Sequence, residues 1–229
     1  DYVGRLYADT LRRQQVRGLF ESLLEMYPHE SDIRDLYSSY LVVSGDLRSA
    51  AEQQEYAVDS DVSNPRRWAS IMGLYAQLDE PQTALKTGER ALEFVPDDPV
   101  IHILMGGNYQ ALKEYDKAMK AFRDAEKLID PSDKATLSEI NSAMGDVFYA
   151  RQQSDSAFAY YEKAVSLNPD NLLALNNFAY YLAENDRDLD RAERYSAVCV
   201  RANPDNDTAI DTYAWIFYKK KNYEKAREW

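Results

Sequence analysis

The sequence predicts an all-α protein of stacked antiparallel helix pairs, and three observations predict it. Between Gly145 and Pro169, small and aromatic residues fall at helix–turn–helix spacing: Gly145, Phe148, Ala157, Tyr161, Ala164 and Pro169. Small residues let two helices cross closely, aromatic residues fill the space beside the crossing, and proline stops the second helix. The same pattern returns along the chain, with Ala179 following Gly145 and Gly106 following Met72 by 34 residues, the mark of a repeat architecture. Composition agrees, because 18 Tyr against 8 Gly and 8 Pro describe an ordered, aromatic-packed chain rather than a disordered one.

Taken in order, residues 1–30 form a partial unit in which Gly4, Tyr7, Val16, Phe20, Leu23 and Pro28 occupy the pattern. Residues 31–64 follow with Tyr37, Ser38, Leu41, Ala50 and Ala57; Gln54 takes the aromatic slot, and Ser44-Gly45-Asp46 is the turn. There glycine supplies a positive φ and aspartate caps the next helix. Residues 65–98 carry Trp68, Tyr75, Ala84, Ala91 and Pro96, with Pro81 in the first turn of the second helix, where its missing N–H costs nothing. Val95-Pro96-Asp97-Asp98-Pro99 is a stop-and-restart signal;.

Residues 99–137 place Met105, Gly106, Tyr109, Ala118, Phe122 and Ala125 in the pattern, then break register at 133–137. The extra residues are expected to lengthen the incoming helix, with Asp130-Pro131-Ser132 as its cap. Residues 138–171 are the clearest copy. Residues 172–206 carry Leu175, Phe178, Ala179, Leu182, Ala192, Cys199 and Pro204, with one additional residue placed in Asn185-Asp186-Arg187-Asp188. Residues 207–229, with Ile210, Tyr213, Ala214, Phe217 and Ala226, are again partial. On this reading 1–229 is a single array, cut within a repeat at both ends.

Acidic residues outnumber basic ones by 39 to 27, a net charge of −12. Nucleic acids and anionic membrane surfaces need the opposite balance, so a basic or neutral partner is expected. The single cysteine, Cys199, forms no internal disulfide and leaves the compartment open;. No apolar run reaches the length of a membrane span, so this segment is not expected to insert into a bilayer. The first residue is Asp1 rather than methionine, so the lack of a leader excludes little.

These residues and their period resemble the tetratricopeptide repeat. The resemblance implies a right-handed α-solenoid, or superhelix, whose first helices line a concave groove used to bind proteins or peptides. A narrower resemblance runs through Leu175–Ala183, Asp188–Ala192 and Asp211–Trp215. These look like the tail of Gram-negative, Bacteroides-type tetratricopeptide proteins, some exported to or anchored in the cell envelope. That implies a bacterial envelope or periplasmic location, with the cytoplasm as the alternative.

On the groove phase that the family implies, Asp35, Ser142, Asp146, Ala183 and Tyr218 are among the lining positions, over a small-residue floor at Gly73, Ile103 and Gly107. The C-terminal half is acidic and aromatic, and Tyr149, Asn176, Tyr180, Asp211 and Trp215 are the candidate contact residues. Tyrosine and tryptophan offer rigid, amphipathic contact area. Clamps that hold a terminal carboxylate need Lys, Arg and Asn at such positions, and only Asn176 fits.

Chemistry is sparse elsewhere. His102 falls in the slot of Trp68 and reads as a packing residue, and His29 reads as a loop residue. Gly106-Gly107 lies inside a helical pattern, not after a strand, so it is not a phosphate loop. Cys199 occupies a tight crossing and reads as an inert buried thiol. No catalytic residue, cofactor site or metal site is expected. The leading expectation is therefore a non-catalytic scaffold binding a protein segment in its groove. The alternatives are an assembly module associating through open repeat ends and the non-catalytic part of a larger enzyme or regulator.

Overall fold

A computed structural model describes residues 10–229, with side chains from Arg13 onward; Gly4 and Tyr7 of the first unit lie outside the described residues. Within these residues there are thirteen α-helices and no strand, an all-α helical repeat fold. The chain divides into two compact units, Asp1–Leu128 and Ile129–Trp229.

In unit 1 the helices are α1 (Thr10–Met26), α2 (Ser31–Val43), α3 (Leu47–Val58), α4 (Pro65–Gln77), α5 (Pro81–Leu92), α6 (Pro99–Ala111) and α7 (Tyr115–Leu128). From α2 onward they pack as consecutive pairs, α2 with α3, α4 with α5 and α6 with α7, and α4 also meets α6. Local chemistry sets the helix starts. The side chains of Asp46, Asn64 and Asp98 accept hydrogen bonds from the backbone N–H groups of Ser49, Arg66 and Ile101 at 3.0–3.1 Å, which satisfies donors that a helix leaves orphaned. Pro65, Pro81 and Pro99 stand at first helical positions. Gly45 turns the chain at φ +83° as expected, while the corresponding turns after α4 and α6 force Asp79 (+57°) and Lys113 (+60°) into the same region.

Leu41, Trp68, Ile71, Met72 and Ile101 are buried in one continuous core in unit 1. Trp68 Nε1 donates to Val62 O at 2.8 Å, and His102 Nε2 lies 3.1 Å from Pro96 O. Each ring thus reaches a carbonyl six residues back, so His102 repeats the polar stitch of Trp68. At Gly106 an added Cβ would stand 2.5 Å from the Phe122 ring. The crossing of α6 and α7 therefore requires glycine.

Unit 2 holds α8 (Lys134–Ala150), α9 (Ser154–Leu167), α10 (Leu172–Glu184), α11 (Leu189–Ala202), α12 (Asp207–Lys219) and α13 (Tyr223–Glu228). The residues of the register break lengthen α8, but its cap is Asp133, not the Asp130-Pro131-Ser132 stretch. Asp133 Oδ1 accepts from Thr136 N at 3.0 Å, whereas Asp130 closes a tight turn on Ser132 N at 2.7 Å. The additional residue between α10 and α11 costs a second left-handed position, with Asp186 at φ +51° and Asp188 at +38°. Ala157, Ala164, Ala179 and Ala192 are fully buried where helices cross. Phe158, Tyr161, Phe178 and Ile216 fill the core among them.

Candidate functional site

The first helices of unit 2 carry the five candidate residues, with α10 lying beside both α8 and α12. Tyr149, on α8, is half-buried; its ring stacks on Tyr181 of α10 with centroids 3.7 Å apart, and its hydroxyl accepts from Asn185 Nδ2 at 3.2 Å. Tyr180 is 39% exposed and meets Tyr181 edge-on at 5.3 Å. Trp215, on α12, stacks on Tyr218 at 5.2 Å, with Lys219 Nζ 5.6 Å from its ring centre. Its indole Nε1 is buried and finds no acceptor. Asp211 is exposed.

Asn176 is only 9% exposed, and its Oδ1 has no hydrogen-bond partner. It lines a cleft of about 280 Å³ with Leu173, Cys199, Asn206 and Ala209. Burial pushes the Cys199 thiol up to about 11, and its Sγ lies 3.4 Å from Leu172 O. A thiol kept protonated in this way is a packing group, not a nucleophile.

Tyr181 joins Tyr149 to Tyr180, and Asp211 acts on Tyr180 through its charge. Burial first, then Glu184, Tyr149 and Asp211, raise the Tyr180 phenol above its ordinary range. Other expected groove positions lie elsewhere. Ser142 and Ala183 are buried, and in unit 1 Asp35 is taken up by Arg67 at 2.7 Å and Gln54 Nε2 at 3.1 Å.

Beneath the tyrosines lies Asp146, half-buried on α8, one turn before Tyr149. It accepts from the Tyr161 hydroxyl and from Asn177 Nδ2, which stands 3.2 Å from Oδ1 and 3.4 Å from Oδ2. Burial pushes its carboxyl above the usual range, and these two hydrogen bonds pull it part of the way back. Burial and then the charge of Asp146 raise the Tyr161 phenol strongly, and the same two causes push Tyr181 up to about 12. Both phenols therefore remain donors at neutral pH.

Tyr181, Asn177 and Asn185 were not among the candidates. The signal for the first two was present as the doublets Asn176-Asn177 and Tyr180-Tyr181. Adjacent residues on a helix diverge by about 100°, so Tyr180 is exposed while Tyr181 meets the neighbouring helix, and Asn176 is buried while Asn177 reaches Asp146. No helix among the described residues is long and apolar enough to cross a membrane. No group of three or more His, Cys, Asp or Glu among the described residues could hold a metal ion.

Comparison with known proteins points the same way as the geometry. Two family models described as tetratricopeptide repeat match the chain, one at residues 160–194 and the other at 101–130 and 138–171. The human protein O-mannosyl-transferase TMTC1 is 26% identical over 84% of this chain, which spans only 21% of that relative's length. The TPR repeat-containing protein YpiA of Bacillus subtilis is 23% identical over 73% of the chain and 39% of its own length. Among solved structures, PilW, a type IV pilus biogenesis factor, shares the fold with a TM-score of 0.72 at 21% identity, covering 86% of this chain and 89% of its own. YrrB, a TPR protein with an unusual peptide-binding site, superposes with a TM-score of 0.53 at 24% identity, covering 78% and 89%. With its paired helices and these matches, the chain carries tetratricopeptide repeats over residues 101–130 and 138–194, within an all-α helical repeat fold.

Proposed function

We propose that this chain is a non-catalytic scaffold that binds an extended segment of a partner protein across α8, α10 and α12, in contact with Tyr149, Asn176, Tyr180, Asp211 and Trp215. The observation that carries this reading is the run of accessible aromatic rings on three adjacent first helices, with Tyr180 and Tyr218 both exposed large side chains. Exposed aromatics on a rigid helical face supply contact area at low entropic cost. The peptide-binding site named for YrrB supports a peptide as ligand. The transferase activity in the name of TMTC1 belongs to a protein of which this chain spans about a fifth. Nor do Cys199 and His102, both engaged in packing, favour catalysis.

Peptides selected from a displayed library on the folded chain provide the test. Tyr180→Ala combined with Trp215→Ala should weaken their binding about 10-fold or more, the loss of two interface aromatics, while circular dichroism stays helical. Unchanged binding by a folded double variant would remove these residues from the interface.

A further inference from the structure

Between their ends the first helices of unit 2 carry acids and no cations; Lys134 opens α8 and Lys219 closes α12. No Lys or Arg occurs at 135–150, 172–184 or 207–218, yet Glu139, Asp146, Glu184, Asp207 and Asp211 do. Basic residues sit instead on α11 and in the turn before it, where they meet acids of the preceding helix pair: Arg187 lies 2.7 Å from Asp155 and Arg191 3.0 Å from Glu162. Asp146 has no such partner. Its neighbours Tyr161 and Asn177 are uncharged donors, and Oδ2 is left with only the 3.4 Å contact to Asn177. A carboxylate drawn out of water without a counter-charge is costly to the fold. This one stands one helical turn from Tyr149, whose ring is part of the accessible aromatic surface.

We infer that Asp146 receives one arginine side chain of the bound segment, with the guanidinium bonded to Oδ2 and packed beside the Tyr149 ring. This rests on the peptide-binding reading above and adds the chemistry of its partner. Arginine fits better than lysine because a planar guanidinium can bond a carboxylate along its edge while its face lies on an aromatic ring. The net charge of −12 draws such a segment toward the chain as a whole;.

The experiment uses the strongest peptide from the library selection, remade with citrulline, the neutral isostere, at each arginine in turn. Affinities are measured by fluorescence anisotropy on the wild-type chain and on Asp146→Asn, which keeps an acceptor for Tyr161. One replacement should weaken binding to the wild type ~10-fold or more and change binding to Asp146→Asn less than about 2-fold, since the charge it opposes is gone. If Asp146→Asn loses helix by circular dichroism, Tyr149→Ala replaces it, with the same shrinkage of the citrulline penalty expected. Binders that depend on Tyr180 and Trp215 but lack arginine, or tolerate citrulline everywhere, overturn the arginine site and leave the peptide-binding reading standing. So does a penalty that persists in full on the variant. Failure to find any peptide sensitive to Tyr180 and Trp215 overturns both.

Discussion

At the scale of single residues, Asp146 and Tyr161 form the centre of unit 2 and pull in opposite directions. Tyr161 is fully buried, and its hydroxyl is spent on Asp146. Tyr161→Phe should therefore cost about 1.5–3 kcal/mol, the range for a hydrogen bond to a charged group, read from urea unfolding. Asp146 is the reverse case. Its carboxyl is raised in the folded chain, chiefly by burial. A raised acid contributes stability that is fully present below its unfolded value and is lost as pH rises through its folded value. At neutral pH the ionised group therefore works against folding. Asp146→Asn should melt at the same temperature as the wild type or higher at pH 7, and any gain should vanish once the solution is more acid than the ordinary Asp value of about 3.9. A melting temperature several degrees lower at pH 7 would show that the carboxylate is structural and not held for a ligand.

At the scale of helices, the glycines separate packing from permissiveness. A Cβ at Gly145 would stand 2.8 Å from the Tyr161 ring, and one at Gly106 2.5 Å from the Phe122 ring; at Gly73 and Gly107 it would meet nothing within 4 Å. Gly145→Ala and Gly106→Ala should each cost about 1–3 kcal/mol by overpacking. Gly73→Ala and Gly107→Ala should each gain about 0.5–1 kcal/mol from helix propensity. Urea unfolding of the four variants checks the order, and a stabilised Gly106→Ala would contradict the crossing geometry.

Much of this level was legible in the sequence. Ala157, Ala164 and Gly145 declare themselves because close crossings admit only small side chains, and Asp46 and Asp98 because capping needs an acceptor two or three residues before the N–H it takes. Asp133 was misread because a second acid-rich turn at Asp130 offers the same local signal, and only three-dimensional closure chooses between them. The left-handed Lys113 and Gln152 carry no glycine to announce them. The candidate face was harder still. Ser142 and Ala183 turn inward while Tyr181 and Asn177 reach the neighbouring helix, and a shift of one residue, about 100° around the axis, decides which is which.

At the scale of the whole molecule, the two units keep their own cores, and unit 2 exposes Tyr180, Tyr218 and Asp211 on first helices. Surface ion pairs such as Arg187–Asp155 add little to stability;. Their placement matters more, because it leaves cations on α8, α10 and α12 only at the ends, as Lys134 and Lys219. Recognition is proposed to occur on this face. Hydrogen–deuterium exchange of the chain, with and without a saturating selected peptide, tests it most directly. Binding should slow exchange in α8, α10 and α12. Slowing confined to α9 and α11, or to unit 1, would contradict it.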